Sequence, residues 1–176
     1  MPEALKITLI VVGSIIAVWL LLLIVDLIFV GSYLAIFKKH KKAMVVILFT
    51  KLENMKKIFS IMKQSGVDID AKLVASLNEV KEEDFQEPAS EACEKSKKSL
   101  SYLKDEIMFI ANQNLDLNEN SEFVTAKNNI LESDTLFRTN VMMYNADVLG
   151  YNYWIRFFPC SFIFKMFRVK KLETIS

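Results

Sequence analysis

The stretch Tyr144–Pro159, YNADVLGYNYWIRFFP, decides how this chain is read. Tyr144, Tyr151 and Phe158 are seven residues apart, and Val148 and Ile155 fall between them in a 4-3-4-3 step. On an α-helix that spacing puts all five on one stripe, the seam with which a helix packs on another. Asn145 and Asn152 each follow a tyrosine and sit at the edge of the stripe. Pro159 cannot continue the hydrogen-bond ladder, so the helix is expected to end at Phe158-Pro159. Upstream the stripe runs on through Val141, Phe137, Asp134, Ile130 and Phe123, which predicts one long helix from Ser121 with a single carboxylate, Asp134, on its seam. Tyrosine suits the edge of such a seam because its ring packs while its hydroxyl finds a partner. The ordinary reading is helix-bundle core; a ligand or lipid site on the tyrosines is the alternative.

The pattern YN-x5-YN-x5-FP closing a long helix resembles the LemA family of bacterial membrane-anchored helical proteins. Downstream, Phe158-Pro159-Cys160-Ser161-Phe162-Ile163 is similar to the family's F-P-S-N-L-I, and Met166-Phe167 to its L-F. Upstream, Leu115-Asp116-Leu117, Asn120 and Phe123 look like its Y-P-x-L-x-x-N-x-x-F, and Asp134 falls where the family usually carries an acid. The last third of the chain carries the likeness; the rest agrees in layout. Val141-Met142 replace the basic residues usual before the first YN, Asn114-Leu115 replace the Y-P element, and Met44 stands where the family often has tryptophan. The resemblance implies a divergent member: architecture and place, with no established biochemical activity to carry over. Some members of the family are tied to magnetosome membranes and others to the cell envelope.

The N-terminal side supplies the anchor. Ile7–Val25, ITLIVVGSIIAVWLLLLIV, is free of charge, and about 20 apolar residues cross the hydrocarbon core. Asp26 follows, then a second apolar run, Leu27–Phe37. The whole is too long for one crossing and too short for two, which fits one tilted or protruding helix. The apolar run exceeds a signal-peptide core and lacks a small-x-small cleavage site, so a retained signal anchor is expected. Lys38, Lys39, Lys41 and Lys42 follow it, against Lys6 before it; the positive-inside rule then places the N-terminus outside and residues 38–176 in the cytoplasm. The expected division is 1–37 as anchor and 38–176 as bundle. Asp26 lies about 28 Å along the helix from Ile7, near the inner interface, where a carboxylate reaches water. An aspartate held between helices of an oligomer, or acting as a proton site, is the competing reading. KKHKK caps the anchor or attracts anionic headgroups, and His40, the single histidine, has no metal-ligand spacing.

Gly (4) and Pro (3) are scarce, which favours long helices in an all-α chain: a transmembrane helix, then an antiparallel up-and-down bundle. Ala43–Gln64 continues from the anchor with Met44, Leu48, Leu52, Met55, Phe59 and Met62 inward and Lys51, Glu53, Lys56 and Lys57 on the wet side; Gly66 caps it. Asp68 or Asp70 caps a helix over 71–82, Lys81–Pro88 reads as a solvated acidic loop, and Ser90 caps a third helix to Asn112 whose lysines 95, 97, 98 and 104 face outward. Asn112–Asn120 is a polar connection. Cys160–Lys171, CSFIFKMFRVKK, is either a lid on the bundle end or an amphipathic anchor, and the family layout favours the lid.

The net charge of +1 leaves no footprint for nucleic acid. The two cysteines, Cys93 and Cys160, read as free thiols. No Gly-rich phosphate loop, HExxH, GxSxG or Cys/His cluster occurs, so neither an enzyme nor a cofactor or metal is expected. The expected function is a non-enzymatic, membrane-anchored bundle acting as a cytoplasmic-face scaffold or protein-interaction module of the bacterial cell envelope, placed in the cell membrane with the bilayer and other proteins as partners. A membrane-shaping or lipid-binding homo-oligomer is the alternative.

Overall fold

The structure, a computed structural model, describes residues 2–156, 161, 164–165 and 169–175. Among these, all regular structure is helical: α1 Glu3–Gln64, α2 Ala71–Glu79, a 3₁₀ turn Glu82–Phe85, α3 Glu91–Gln113, α4 Leu115–Glu119 and α5 Ser121–Trp154. α1 contains no proline and runs unbroken from the apolar stretch through the lysine run into the first core helix, as its sequence predicts. It stops where glycine permits a left-handed residue. Gly66 has φ 71°, Val67 N–H donates to the Met62 carbonyl (3.0 Å) and Gly66 N–H to that of Lys63 (3.3 Å). Those two bonds are the Schellman pairing, which satisfies carbonyls the helix leaves unused.

The next helices start on side-chain caps. Asp70 accepts from Lys72 N–H, Ser90 from Cys93 N–H, and Asn120 from both Glu122 and Phe123 N–H. Each oxygen meets an amide that has no carbonyl one turn back. Two segments read as loops are more ordered than their composition indicates. The acidic segment forms a 3₁₀ turn that buries Phe85 completely, and Asp84 accepts from the Ser96 hydroxyl (2.7 Å) and Lys81 N–H (3.1 Å). Those bonds hold the Asp84 carboxyl below its usual range. The Asn-rich connection contains α4, which buries Leu117.

The chain divides into two compact units. One comprises Met1–Lys38 with Asn145–Thr174, the other Lys39–Tyr144 with Ile175–Ser176. The first cut falls one residue from the expected boundary at 37/38, but Asn145–Thr174 groups with the apolar N-terminal segment. The reason is visible in the first unit itself, where the end of α5 packs on α1.

In the second unit one core draws on every helix. Leu48, Leu52, Met55 and Met62 of α1 meet Leu73 and Leu77 of α2, Leu100, Leu103 and Ile107 of α3, Leu117 of α4, and Phe123 and Ile130 of α5. Met55 and Met62 act in it as gap-filling side chains.

In the first unit every residue from Ala4 to Leu21 is exposed. An 18-residue window there has mean hydropathy 3.0 with none of it buried, so α1 is long and apolar enough to cross a membrane. From Leu22 onward one side of α1 closes, at Asp26, Phe29, Tyr33 and Phe37. These meet the seam of α5. Phe29 lies 4.3 Å from the Trp154 ring, Tyr33 5.9 Å from Tyr151, and Phe37 stands edge-on to Tyr151 at 5.6 Å. Such tilted and edge-on pairs suit the ring quadrupoles. Gly150 admits Tyr33, whose hydroxyl lies 3.2 Å from where a Cβ would stand. Helix α5 ends at Trp154, before the expected stop; Ile155 and Arg156 form a turn, and Phe158 and Pro159 lie outside the described residues.

Candidate functional site

Tyr144, Val148, Tyr151 and Ile155 are all buried, so the stripe that opened the reading is core rather than a surface site. Asn145 is half-buried. Asn152 makes a two-point pairing with the backbone of Leu172: its amide donates to the Leu172 carbonyl (2.8 Å) and its carbonyl accepts from Leu172 N–H (3.0 Å). An asparagine side chain mimics a peptide unit, and here it ties the C-terminal segment to α5. Phe164 of that segment is buried as well. Phe162, Ile163, Met166, Phe167 and Cys160, on which the choice between lid and amphipathic anchor falls, lie outside the described residues.

The lysine run is not uniform. Lys38, Lys39 and Lys42 are exposed, whereas Lys41 is half-buried and donates to Glu87 (2.6 Å). The acidic segment thus takes one of the four interface lysines.

Asp26 departs from its expected setting. It is 2% exposed, and its Oδ2 has no hydrogen-bond partner among the described residues. The indole N–H of Trp154 is likewise buried without a partner. Trp154 stacks on Phe29, one turn along α1 from Asp26. A carboxylate that reaches water at an interface is therefore not what the first unit contains.

The second unit holds the other inward carboxylate, Asp134, on the α5 seam. It accepts from Lys51 of α1 and from Lys104 of α3 (3.0 Å). Lys51 was expected on the wet face but has a side chain only 8% exposed; Lys104, expected to face outward, is 19% exposed. Burial raises the Asp134 carboxyl, yet the hydrogen bonds from the two ammonium groups outweigh it and hold the group below its ordinary value. Burial acts more strongly on Lys51 and lowers it, with Asp134 resisting. Neither lysine could be assigned from its own neighbours in sequence, because the partner lies 83 residues from Lys51 and 30 from Lys104.

Around this triad opens a cleft of about 130 Å³, lined by Ile47, Leu48 and Lys51 of α1, by Lys97, Leu100, Ser101 and Lys104 of α3, and by Ser133, Asp134, Phe137 and Arg138 of α5. Lys97 lies over the Phe137 ring, 5.4 Å from its centre. Lys104 also lies 3.7 Å from Asp105, so the two inner lysines meet two carboxylates. Elsewhere, Cys93 is a buried free thiol pushed up by its burial, and among the described residues no three His, Cys, Asp or Glu come together as metal ligands. Two inward carboxylates thus stand out among the described residues: Asp26, whose Oδ2 lacks a partner, and Asp134, held by Lys51 and Lys104. In comparison with known proteins, no family model matches the chain, no curated protein matches it, and no solved structure matches it.

Proposed function

We propose that this chain is a LemA-like, non-enzymatic protein of the bacterial cell membrane: a single-pass anchor carrying an antiparallel up-and-down helical bundle that presents its surface to protein partners in the cytoplasm. The observation that carries this reading is α1. Its apolar stretch is exposed on every side from Ala4 to Leu21, and the same helix then supplies Leu48, Leu52 and Met55 to the core of the second unit. An apolar cylinder of that length has no favourable place in water. The long helices α1, α3 and α5, joined by short capped connections, support the up-and-down arrangement. The exposed lysines 38, 39 and 42 support the orientation with the N-terminus outside.

The test is membrane extraction and protease protection. The full-length protein should stay with membranes through alkaline carbonate, and a C-terminal tag should be cut in inverted vesicles but not in intact spheroplasts. Release by carbonate overturns the anchor; the opposite protection pattern overturns the orientation.

One observation favours the second reading, a homo-oligomer that binds or shapes lipid. Met142, Leu149 and Tyr153 recur at helical spacing along α5 and are 72%, 64% and 69% exposed. Native mass spectrometry of the detergent-extracted protein separates the two readings: a discrete multimer with retained lipid supports the oligomer, and a lipid-free monomer supports the tethered module.

A further inference from the structure

The chain beyond Asp147 is one-sided in charge. Between Asp147 and Glu173 it carries Arg156, Lys165, Arg168, Lys170 and Lys171 and no acidic residue. Within the first unit, Arg156, Lys165 and Lys171 come together on one pocket of about 310 Å³, at the small end of the ~300–1,000 Å³ usual for ligand sites. Ile155 and Phe164, both buried, give it an apolar floor, and Ser161 adds a hydroxyl to its wall. Among the described residues no carboxylate lines it. Glu3, Asp26, Asp147 and Glu173 are the acidic residues of this unit, and among the described residues none forms an ion pair with the three cations.

Hydrogen bonds hold the pocket in shape. Asn152 of α5 grips Leu172 at two points, which fixes the neighbouring Lys171. Val169 N–H donates to the Phe164 carbonyl (2.9 Å), and Arg156 N–H to that of Tyr153 (3.1 Å) at the turn that ends α5. Ring contacts then set its level along α1. Tyr151 meets Tyr33 and Phe37, and Trp154 meets Phe29, so as α5 advances its partners fall back along α1 toward the apolar stretch. Ile155 and Arg156 follow directly and stand near the level of Phe29.

That level can be placed against a bilayer. The charge-free run Ile7–Val25 spans about 28 Å at 1.5 Å per residue, close to the ~30 Å hydrocarbon core. Phe29 lies four residues past Val25, about 6 Å further along α1, within the polar layer of about 5–8 Å on each side of that core. Lys38 lies nine residues past Phe29, about 14 Å further, beyond the ~8–10 Å over which salt screens a surface charge. The pocket is therefore level with the headgroups, and Lys38 stands off from them.

We propose that this pocket binds the phosphate of an anionic phospholipid headgroup, with Arg156 making a two-toothed contact and Lys165 and Lys171 acting as point charges. The proposal rests on the anchor reading, because α1 sets the level of the bilayer. A choline headgroup brings its own cation toward three like charges, whereas a glycerol headgroup brings none. The apolar floor suits the glycerol carbons and the first acyl methylenes. A soluble phosphate offers the same chemistry, and the headgroup level favours the lipid.

The experiment is native mass spectrometry of the full-length protein in neutral detergent micelles carrying equal amounts of phosphatidylglycerol and phosphatidylcholine. Phosphatidylglycerol should be retained at least about tenfold over phosphatidylcholine. The variant Arg156→Gln/Lys165→Gln/Lys171→Gln should retain the two equally and melt as the wild type does without lipid. Should it melt early, Arg156→Gln alone carries the test, with a loss of about fivefold. Lys38→Gln/Lys39→Gln should keep the preference. No preference in the wild type, or an unchanged one in the pocket variants, overturns the proposal; so does its loss in Lys38→Gln/Lys39→Gln, which gives the headgroup to the lysine run. Calorimetric titration of lipid-free micelles with glycerol 3-phosphate should give no saturable heat. Saturable binding that the pocket variants lose overturns the lipid in favour of a soluble phosphate. The lipid is offered in micelles, so failure here leaves carbonate resistance and protease protection untouched, and failure there leaves this readout untouched.

Discussion

The first unit buries Asp26 one turn from the Phe29–Trp154 contact; the second sets Asp134 between two lysines. Both carboxylates occupy the inner side of a long helix. Asp26 is the more buried of the two, yet its Oδ2 has no partner, while each Asp134 oxygen accepts from an ammonium. Depth in the fold therefore does not measure how well a charge is accommodated. Asp134 is surrounded by donors of opposite charge, and its removal strands them; Asp26 is surrounded by aromatic and aliphatic neighbours along α1, and its removal strands nothing that the described residues show.

The largest effect that can break this comparison is at Asp134. Asp134→Ala leaves the Lys51 ammonium buried without its carboxylate, and a loss of about 3–5 kcal/mol is expected in denaturation of the detergent-solubilised protein. Lys51→Met combined with Asp134→Leu should recover most of that loss, because no charge is then left alone. A small effect of the single change means that water already solvates Lys51. The same residue carries an acid dependence. A carboxyl held below its ordinary value contributes stability that is present above the unfolded value and is lost as pH falls through the folded one. The wild type should therefore weaken in acid more steeply than Asp134→Asn.

Asp26 is expected to go the other way. Asp26→Leu removes a buried acceptor without a partner and should raise stability by about 1–3 kcal/mol. A loss comparable to that of Asp134→Ala would show that Asp26 has a partner after all, and the contrast between the two units would fall. Asn152→Ala comes next: two hydrogen bonds to Leu172 disappear, about 1–2 kcal/mol, and hydrogen exchange at the Leu172 amide should quicken while the α3 core stays protected. The smallest effect is at Gly150→Ala, where the new methyl meets the Tyr33 hydroxyl at 3.2 Å. A loss of about 1 kcal/mol is expected, relieved by Tyr33→Phe.

These contrasts also mark what sequence can convey. The seam Tyr144, Val148, Tyr151 was legible because period and burial coincide along one helix. So was the stop at Gly66, whose cap depends only on residues within one turn. Lys51 was not, since a lysine between apolar positions looks the same whether it meets water or a carboxylate 83 residues away. Phe85 was hidden for a related reason: its acidic neighbours suggested solvent, while its ring meets Phe49 at 5.8 Å, a contact between distant segments. The alliance of Asn145–Thr174 with the apolar N-terminal segment was equally out of reach, because Phe29 and Trp154 are separated by most of the chain. What local pattern determines was readable; what long-range pairing determines was not.

The separation of Lys51 from Asp134 also has a consequence for synthesis. The ribosome adds about 5–20 residues per second, so Lys51 precedes its carboxylate by roughly 4–17 s. Over that interval α1 can form and its apolar half can enter a bilayer, while the Lys51 ammonium remains in water. The charge is desolvated only when α5 arrives, which makes docking of the last long helix the step that closes the core. Nascent chains stalled before and after residue 134 should differ sharply in protease resistance, with α1 membrane-inserted in both.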